Sequence, residues 1–281
     1  MSDASLTMWC PDRSGLTAEI SGFLSETGCN ITDLNQHSDP DHDLFHLRTE
    51  FGVGDVPLDV IRMKWADSAL AKKSKWTIND HHQKAKVFLF CSRSLHCVHD
   101  IIARSTAGEL DLEIVGVASN ANTAASACSA VGIPFHHVAV EANNETAHFQ
   151  KMHELFLESG AGCLVLARYM RILPAWFVDS LPEQIINVHH SFLPAFPGAD
   201  PYRQAMERGV KMIGATAHYV TSILDDGPII AQRTDTLSYR DSLETIRLKG
   251  RDLERVALAE AVRSHVEHRV ITIGPRTIVY P

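Results

Sequence analysis

Ile186-Asn187-Val188-His189-His190-Ser191-Phe192-Leu193-Pro194 places four polar side chains, Asn187, His189, His190 and Ser191, at the end of an apolar run. Ile185, Ile186 and Val188 are β-prone and predict a buried strand that finishes here. Pro194, Pro197-Gly198 and Pro201 follow, so neither strand nor helix is expected to continue. The polar cluster thus falls where a strand gives way to a loop. In an open α/β sheet that is where ligands bind.

A second stretch, Gly214-Ala215-Thr216-Ala217-His218 through Leu224-Asp225-Asp226-Gly227-Pro228, has the same character. Met212 to Val220 predicts a strand, Asp225 to Pro228 a turn, and Ile229 to Gln232 the next strand. An amide (Asn187), an imidazole (His189) and a carboxylate (Asp225) are then offered from two loops that can meet at one sheet edge. Attack on a carbonyl creates an oxyanion that amide and imidazole N–H groups stabilise. The nucleophile must lose a proton, which a histidine or aspartate can relay.

In order and spacing these stretches resemble the folate-dependent formyltransferase family. That family places Asn-x-His-x-Ser-Leu-Leu-Pro before a Pro-Gly loop, then Gly-x-Thr-x-His, then Leu-Asp-x-Gly-Pro. The resemblance implies that Asn187, His189 and Asp225 are the catalytic trio. Leu166-Ala167-Arg168-Tyr169-Met170-Arg171-Ile172-Leu173 resembles the family's folate-contacting segment. It implies an apolar pterin slot from Met170, Ile172 and Leu173, with Arg171 as an anchor. Thr221, Ser222, Ile223 and Leu224 match the loop that closes on the pterin. His190 stands where many members carry proline, a variant shown by the deformylase branch.

Upstream, short apolar runs such as Val87-Phe88-Leu89-Phe90 alternate with helical patterns near 96–106, 122–131 and 145–159. Strands are expected near 86–91, 112–118, 134–140 and 163–168, giving a Rossmann-like, mostly parallel α/β sheet over 86–281. A late helix near 241–264 has Leu243, Ile246, Leu253, Val256 and Ala257 on one stripe, with Asp241 and Glu244 as its capping signal. Residues 1–80 read instead as βαββαβ, the ferredoxin-like layout, with 81–85 as linker. In its second helix Val60, Ile61, Met63 and Trp65 are the candidates for the buried face. Cys10-Pro11-Asp12-Arg13-Ser14-Gly15-Leu16 and Gly28-Cys29-Asn30-Ile31 resemble an ACT domain. ACT domains bind small amino acids at subunit interfaces, which implies a homo-oligomer and an effector, glycine or methionine, at Asp12, Gly15, Asn30 and Ile31. The bland alternative is an assembly module whose Asp12 and Asn30 only make local turn hydrogen bonds.

The 281 residues carry a formal net charge of −8 and no Lys/Arg run, which argues against a nucleic-acid surface. No apolar run approaches the ~20 residues of a membrane span, and no signal peptide is seen. Six scattered cysteines without a Cys-x-x-Cys pair predict reduced thiols in a cytoplasmic protein. The adjacent pairs His81-His82, His136-His137 and His189-His190 lack the His-x-x-x-His spacing of two ligands on one helical face, so no metal is expected. The first strand–helix turn, Ser92-Arg93-Ser94-Leu95-His96-Cys97, lacks the glycines with which family members hold a ribosyl phosphate.

The two-module layout resembles the deformylase branch and implies hydrolysis of 10-formyltetrahydrofolate to tetrahydrofolate and formate. That formate would feed purine synthesis and balance one-carbon pools. The folate is then substrate, with no tightly bound cofactor. Two alternatives stay open: formyl transfer to an amine acceptor, and a non-catalytic folate-binding regulator.

Overall fold

The computed structural model describes residues 3–141, 144–193 and 201–281. The expected turn at Pro194 and Pro197-Gly198 lies outside them. The chain divides into two compact units. Met1–Lys84 forms the first together with Glu267–Ile271 and Val279–Pro281, although the sequence reading assigns those C-terminal residues to the second unit. Ala85–Val266 and Thr272–Ile278 form the second.

In the first unit β1 (Ala4–Pro11), α1 (Leu16–Glu26), β2 (Asn30–Asp39), β3 (Leu44–Gly52), α2 (Leu58–Asp67) and β4 (Lys75–Asp80) give the expected βαββαβ order. The four strands lie antiparallel in the order β2-β3-β1-β4. Period-two alternation turns Leu6, Met8, Leu47 and Phe51 into a core completed by Ile20 and Leu24 of α1 and Trp65 of α2. Met63, expected in that core, is exposed; only Ile61 and Trp65 of α2 are fully buried. Arg48, 3% exposed, explains the C-terminal residues. Its Nε donates to the His268 carbonyl at 3.2 Å and its Nη2 to that of Glu267 at 3.1 Å. Tyr280 pairs its hydroxyl with His46 Nδ1 at 2.8 Å.

The second unit runs β5 (Ala85–Cys91), α3 (His96–Thr106), β6 (Leu112–Ser119), α4 (Ala125–Ala130), β7 (Phe135–His137), α5 (Glu145–Ser159), β8 (Cys163–Leu166), α6 (Ala175–Asp179), β9 (Ile185–His189), α7 (Pro201–Arg208), β10 (Met212–Tyr219), β11 (Ile229–Thr236) and α8 (Leu243–Val266). Its sheet has the order β11-β10-β9-β8-β5-β6-β7. The strands from β9 through β7 are parallel, and β10 and β11 are antiparallel additions. The chain builds outward from β5 through β6 and β7, then returns to place β8 on the other side of β5. That reversal is a topological switch point, where the strand ends leave a crevice. The hairpin β12 (Val270–Ile273) and β13 (Arg276–Val279) ends the chain.

Several expectations shift. The strand expected over 163–168 stops at Leu166 because Arg168 adopts φ 63°, outside extended backbone. Pro201 does not end regular structure but begins α7, the one helical position where its missing N–H costs nothing. The start of α8 is capped by Ser242, whose Oγ accepts the Thr245 N–H at 3.2 Å, while Asp241 accepts from the Ser238 N–H at 2.7 Å. Val256 is exposed, and the buried stripe of α8 instead includes the carboxylate Glu254. Among the described residues no helix is long and apolar enough to cross a membrane.

Candidate active site

Asn187 and His189, two residues apart on β9, project from one face of the strand. Antiparallel pairing sets His218 of β10 directly opposite Asn187. His218 is 2% exposed, and burial lowers its pKa, keeping the ring neutral. Its Nδ1–H donates to the Tyr219 carbonyl at 2.8 Å, which leaves Nε2 as an acceptor. The Asn187 amide nitrogen meets that acceptor at 3.3 Å. One amide hydrogen is thereby fixed and the other left for a ligand.

Asp225 follows β10 in left-handed backbone, φ 55°. The turn closes only because residue 227 is glycine: a Cβ there would lie 1.7 Å from the Tyr219 carbonyl oxygen. The Asp225 Oδ2 lies 3.2 Å from His189 Nδ1, and Oδ1 lies 3.9 Å from His218 Nε2. The bond from His189 outweighs burial and holds the Asp225 pKa below the usual carboxylate value, so it is ionised at neutral pH. His189 Nε2 is buried and has no partner among the described residues.

These three groups line a cavity of about 320 Å³. Met170, Arg171, Ile172 and Leu173 form one wall, beyond the end of β8. Thr221, Ser222, Ile223 and Leu224 form another, between β10 and Asp225. The structure therefore brings together all eleven catalytic and substrate-binding residues read from the sequence. Met170, Ile172, Ile223 and Leu224 are each more than half exposed, holding apolar surface open to a ligand. Arg171 is paired with Glu145 at 2.8 Å, so its guanidinium is tethered before any ligand arrives.

Sequence reasoning missed a polar chain beside the trio. Arg168 donates from Nη1 to His190 Nδ1 at 2.8 Å, and its Nε lies 3.3 Å from Glu254 Oε2. Glu254, 1% exposed, accepts from His96 Nε2 at 2.8 Å and from the Tyr202 hydroxyl at 2.5 Å. Burial pushes its pKa up, but the His96 bond, the Arg168 charge and the Tyr202 bond together outweigh it, and the carboxylate stays ionised. His96, Cys97 and Glu254 bring three potential ligand atoms within 4.8 Å of one another. Both Glu254 oxygens are already engaged, and a cation there would face Arg168.

Burial, aided by Arg168, lowers the His190 pKa to about 4. The unfolded ring titrates near 6.5, so between pH 6.5 and 4 the unfolded chain binds more protons and acidification favours unfolding. The melting temperature is expected to fall steadily from pH 6.5 toward 5; a flat profile over that window contradicts a neutral His190 in the folded state.

The four effector candidates are not brought together within one chain. Pro11, next to Asp12, pairs with Leu44, and Leu44 with Asp39 of β2, whereas Asn30 pairs with Gly52 at the opposite end of that strand. The eleven residues of α1, about 16 Å in length, lie between Gly15 and the turn that precedes Asn30. Gly15 itself has φ 89° at the start of α1, a conformation glycine adopts freely.

Comparison with known proteins matches both units of the chain. The Formyl transferase family model matches residues 85–262, and the ACT domain model matches residues 4–62. A formyltetrahydrofolate deformylase of Bacillus subtilis is 41% identical over 278 residues, covering 98% of this chain and 93% of that protein. The crystal structure of a formyltetrahydrofolate deformylase from Pseudomonas syringae pv. tomato superposes with a TM-score of 0.97 at 40% identity, covering 100% of this chain and 95% of that one. One from Burkholderia mallei gives 0.94 at 37% identity, with 100% of both chains covered.

Proposed function

We infer that this chain, which belongs to the formyltetrahydrofolate deformylase family, hydrolyses 10-formyltetrahydrofolate to tetrahydrofolate and formate. The observation that carries the chemistry is the convergence of an amide donor, an imidazole and an ionised carboxylate at one end of an apolar-walled cavity. The pterin lies between the wall of Met170 to Leu173 and the wall of Thr221 to Leu224, which directs the formyl carbon toward Asn187 and His189. Water adds to that carbon, its proton passing to His189 Nε2, while Asp225 positions it and supports the charge on His189. The oxyanion takes hydrogen bonds from the free Asn187 N–H and from protonated His189. Collapse breaks the C–N bond, N10 leaves as the amine with a proton returned from His189, and formate departs. Side chains and water suffice, with no resident cofactor.

An amine acceptor bearing a phosphate fits less well. The first residue of α3, His96, already donates to the Glu254 carboxylate, so the start of that helix has its anion. Purified protein given 10-formyltetrahydrofolate and no acceptor is expected to release formate and tetrahydrofolate one for one. Turnover only after an amine is added would reject the hydrolase reading.

The six cysteines are free thiols, consistent with a reducing cytoplasm, where the formate would serve purine synthesis. The ACT match supports an effector site shared between copies of a homo-oligomer. Asp12 and Gly15 of one copy would meet Asn30 and Ile31 of another, with glycine or methionine as the first ligands to try. Millimolar glycine or methionine is expected to alter formate release or raise the melting temperature. No change in either removes the effector.

A further inference from the structure

We propose that His190 is an additional hydrogen-bond donor of the reacting site, holding the attacking water through its Nε2–H, and that Arg168 and Glu254 position it. This rests on hydrolysis as the reaction. His190 lines the same cavity as Asn187, His189 and Asp225, with its ring centroid 5.0 Å from that of His189. A guanidinium has only donors, so the 2.8 Å contact from Arg168 requires a bare Nδ1. The ring is then neutral, and its one hydrogen is on Nε2. With its pKa lowered to about 4 by burial and by Arg168, the ring does not act as a base near neutral pH. It can only donate.

That state is enforced from behind. Arg168 is held in left-handed backbone and against Glu254, and Glu254 is fixed in turn by His96 of α3 and Tyr202 of α7. Burying an ion pair costs desolvation that apolar packing would avoid. Here it terminates on a single neutral imidazole in the cavity wall. The attacking water needs the complement of Asp225. The ionised carboxylate accepts one water hydrogen; an N–H on another side engages one lone pair and leaves the second for the formyl carbon. His190 keeps its proton throughout.

The test uses the full-length chain and 10-formyltetrahydrofolate. His190→Asn preserves an acceptor for Arg168 but has no N–H that reaches the Nε2 position; His190→Gln restores an N–H at about that reach. We expect His190→Asn to lower kcat about 10²-fold, with KM and tetrahydrofolate affinity within threefold of wild type. His190→Gln is expected to recover most of that loss. A kcat for His190→Asn within threefold of wild type overturns the proposal, as does a loss in His190→Gln equal to that of His190→Asn. Should His190→Asn not fold, His190→Ala takes its place in the comparison, and a kcat for it within threefold of wild type, or equal to that of His190→Gln, overturns the proposal. Wild-type protein that releases no formate would instead reject the hydrolase reading itself, and the donor role with it.

Discussion

Asp225→Asn is expected to lower formate release by about 10³-fold or more while leaving the fold and tetrahydrofolate binding intact. Asparagine tolerates the left-handed backbone that Asp225 adopts at φ 55°, so the turn through Gly227 still closes. Its carbonyl oxygen still accepts from His189 Nδ1, which keeps the imidazole in place. What disappears is the negative charge that supports protonated His189 and accepts a hydrogen from water. A loss confined to kcat, with affinity and melting temperature preserved, matches the assigned role. Activity within tenfold of wild type would remove Asp225 from the mechanism.

The second large effect concerns stability. Glu254→Ala strips Arg168 of its buried counter-ion and leaves His96 and the Tyr202 hydroxyl without their acceptor. Breaking a buried pair from one side costs about 3–5 kcal/mol, a large part of the 5–15 kcal/mol of a typical domain. For a unit of this size the melting temperature is expected to fall by roughly 6–20 °C. Glu254→Gln, which keeps the volume and part of the hydrogen bonding, should fall less. Urea unfolding at neutral pH measures both. A Glu254→Ala cost below about 1 kcal/mol would mean that the pair contributes nothing.

The candidate trio was legible because the order and spacing of its members resemble the formyltransferase family; each residue alone is an ordinary strand-end or turn residue. Asn187 and His189 close an apolar strand with period-two spacing, and Asp225 stands in a turn that Gly227 makes obligatory. The two cavity walls were legible through their resemblance to the family's folate-contacting segments. The polar chain was not. Glu254 falls within an amphipathic helix where a carboxylate is ordinarily solvated, and its partners Arg168, His96 and Tyr202 are contributed by distant parts of the sequence. His218 was visible only as one residue of a strand; its bond to Asn187 depends on the β9–β10 register, which no local pattern specifies. Prolines misled at α7, where Pro201 starts a helix rather than stopping one. Grouping of the C-terminal residues with the first unit depends on Arg48, a buried cation that pairs with Glu50 and also donates to main-chain carbonyls more than two hundred positions away. No side-chain pattern marks such acceptors.

The central claim is that water is the acceptor of the formyl group, and isotope transfer tests it most directly. Turnover of 10-formyltetrahydrofolate in ¹⁸O-labelled water, with no amine added, should yield formate carrying a single solvent-derived oxygen and an equal amount of tetrahydrofolate. Formate without label, or consumption of the folate only when an amine is supplied, would contradict it.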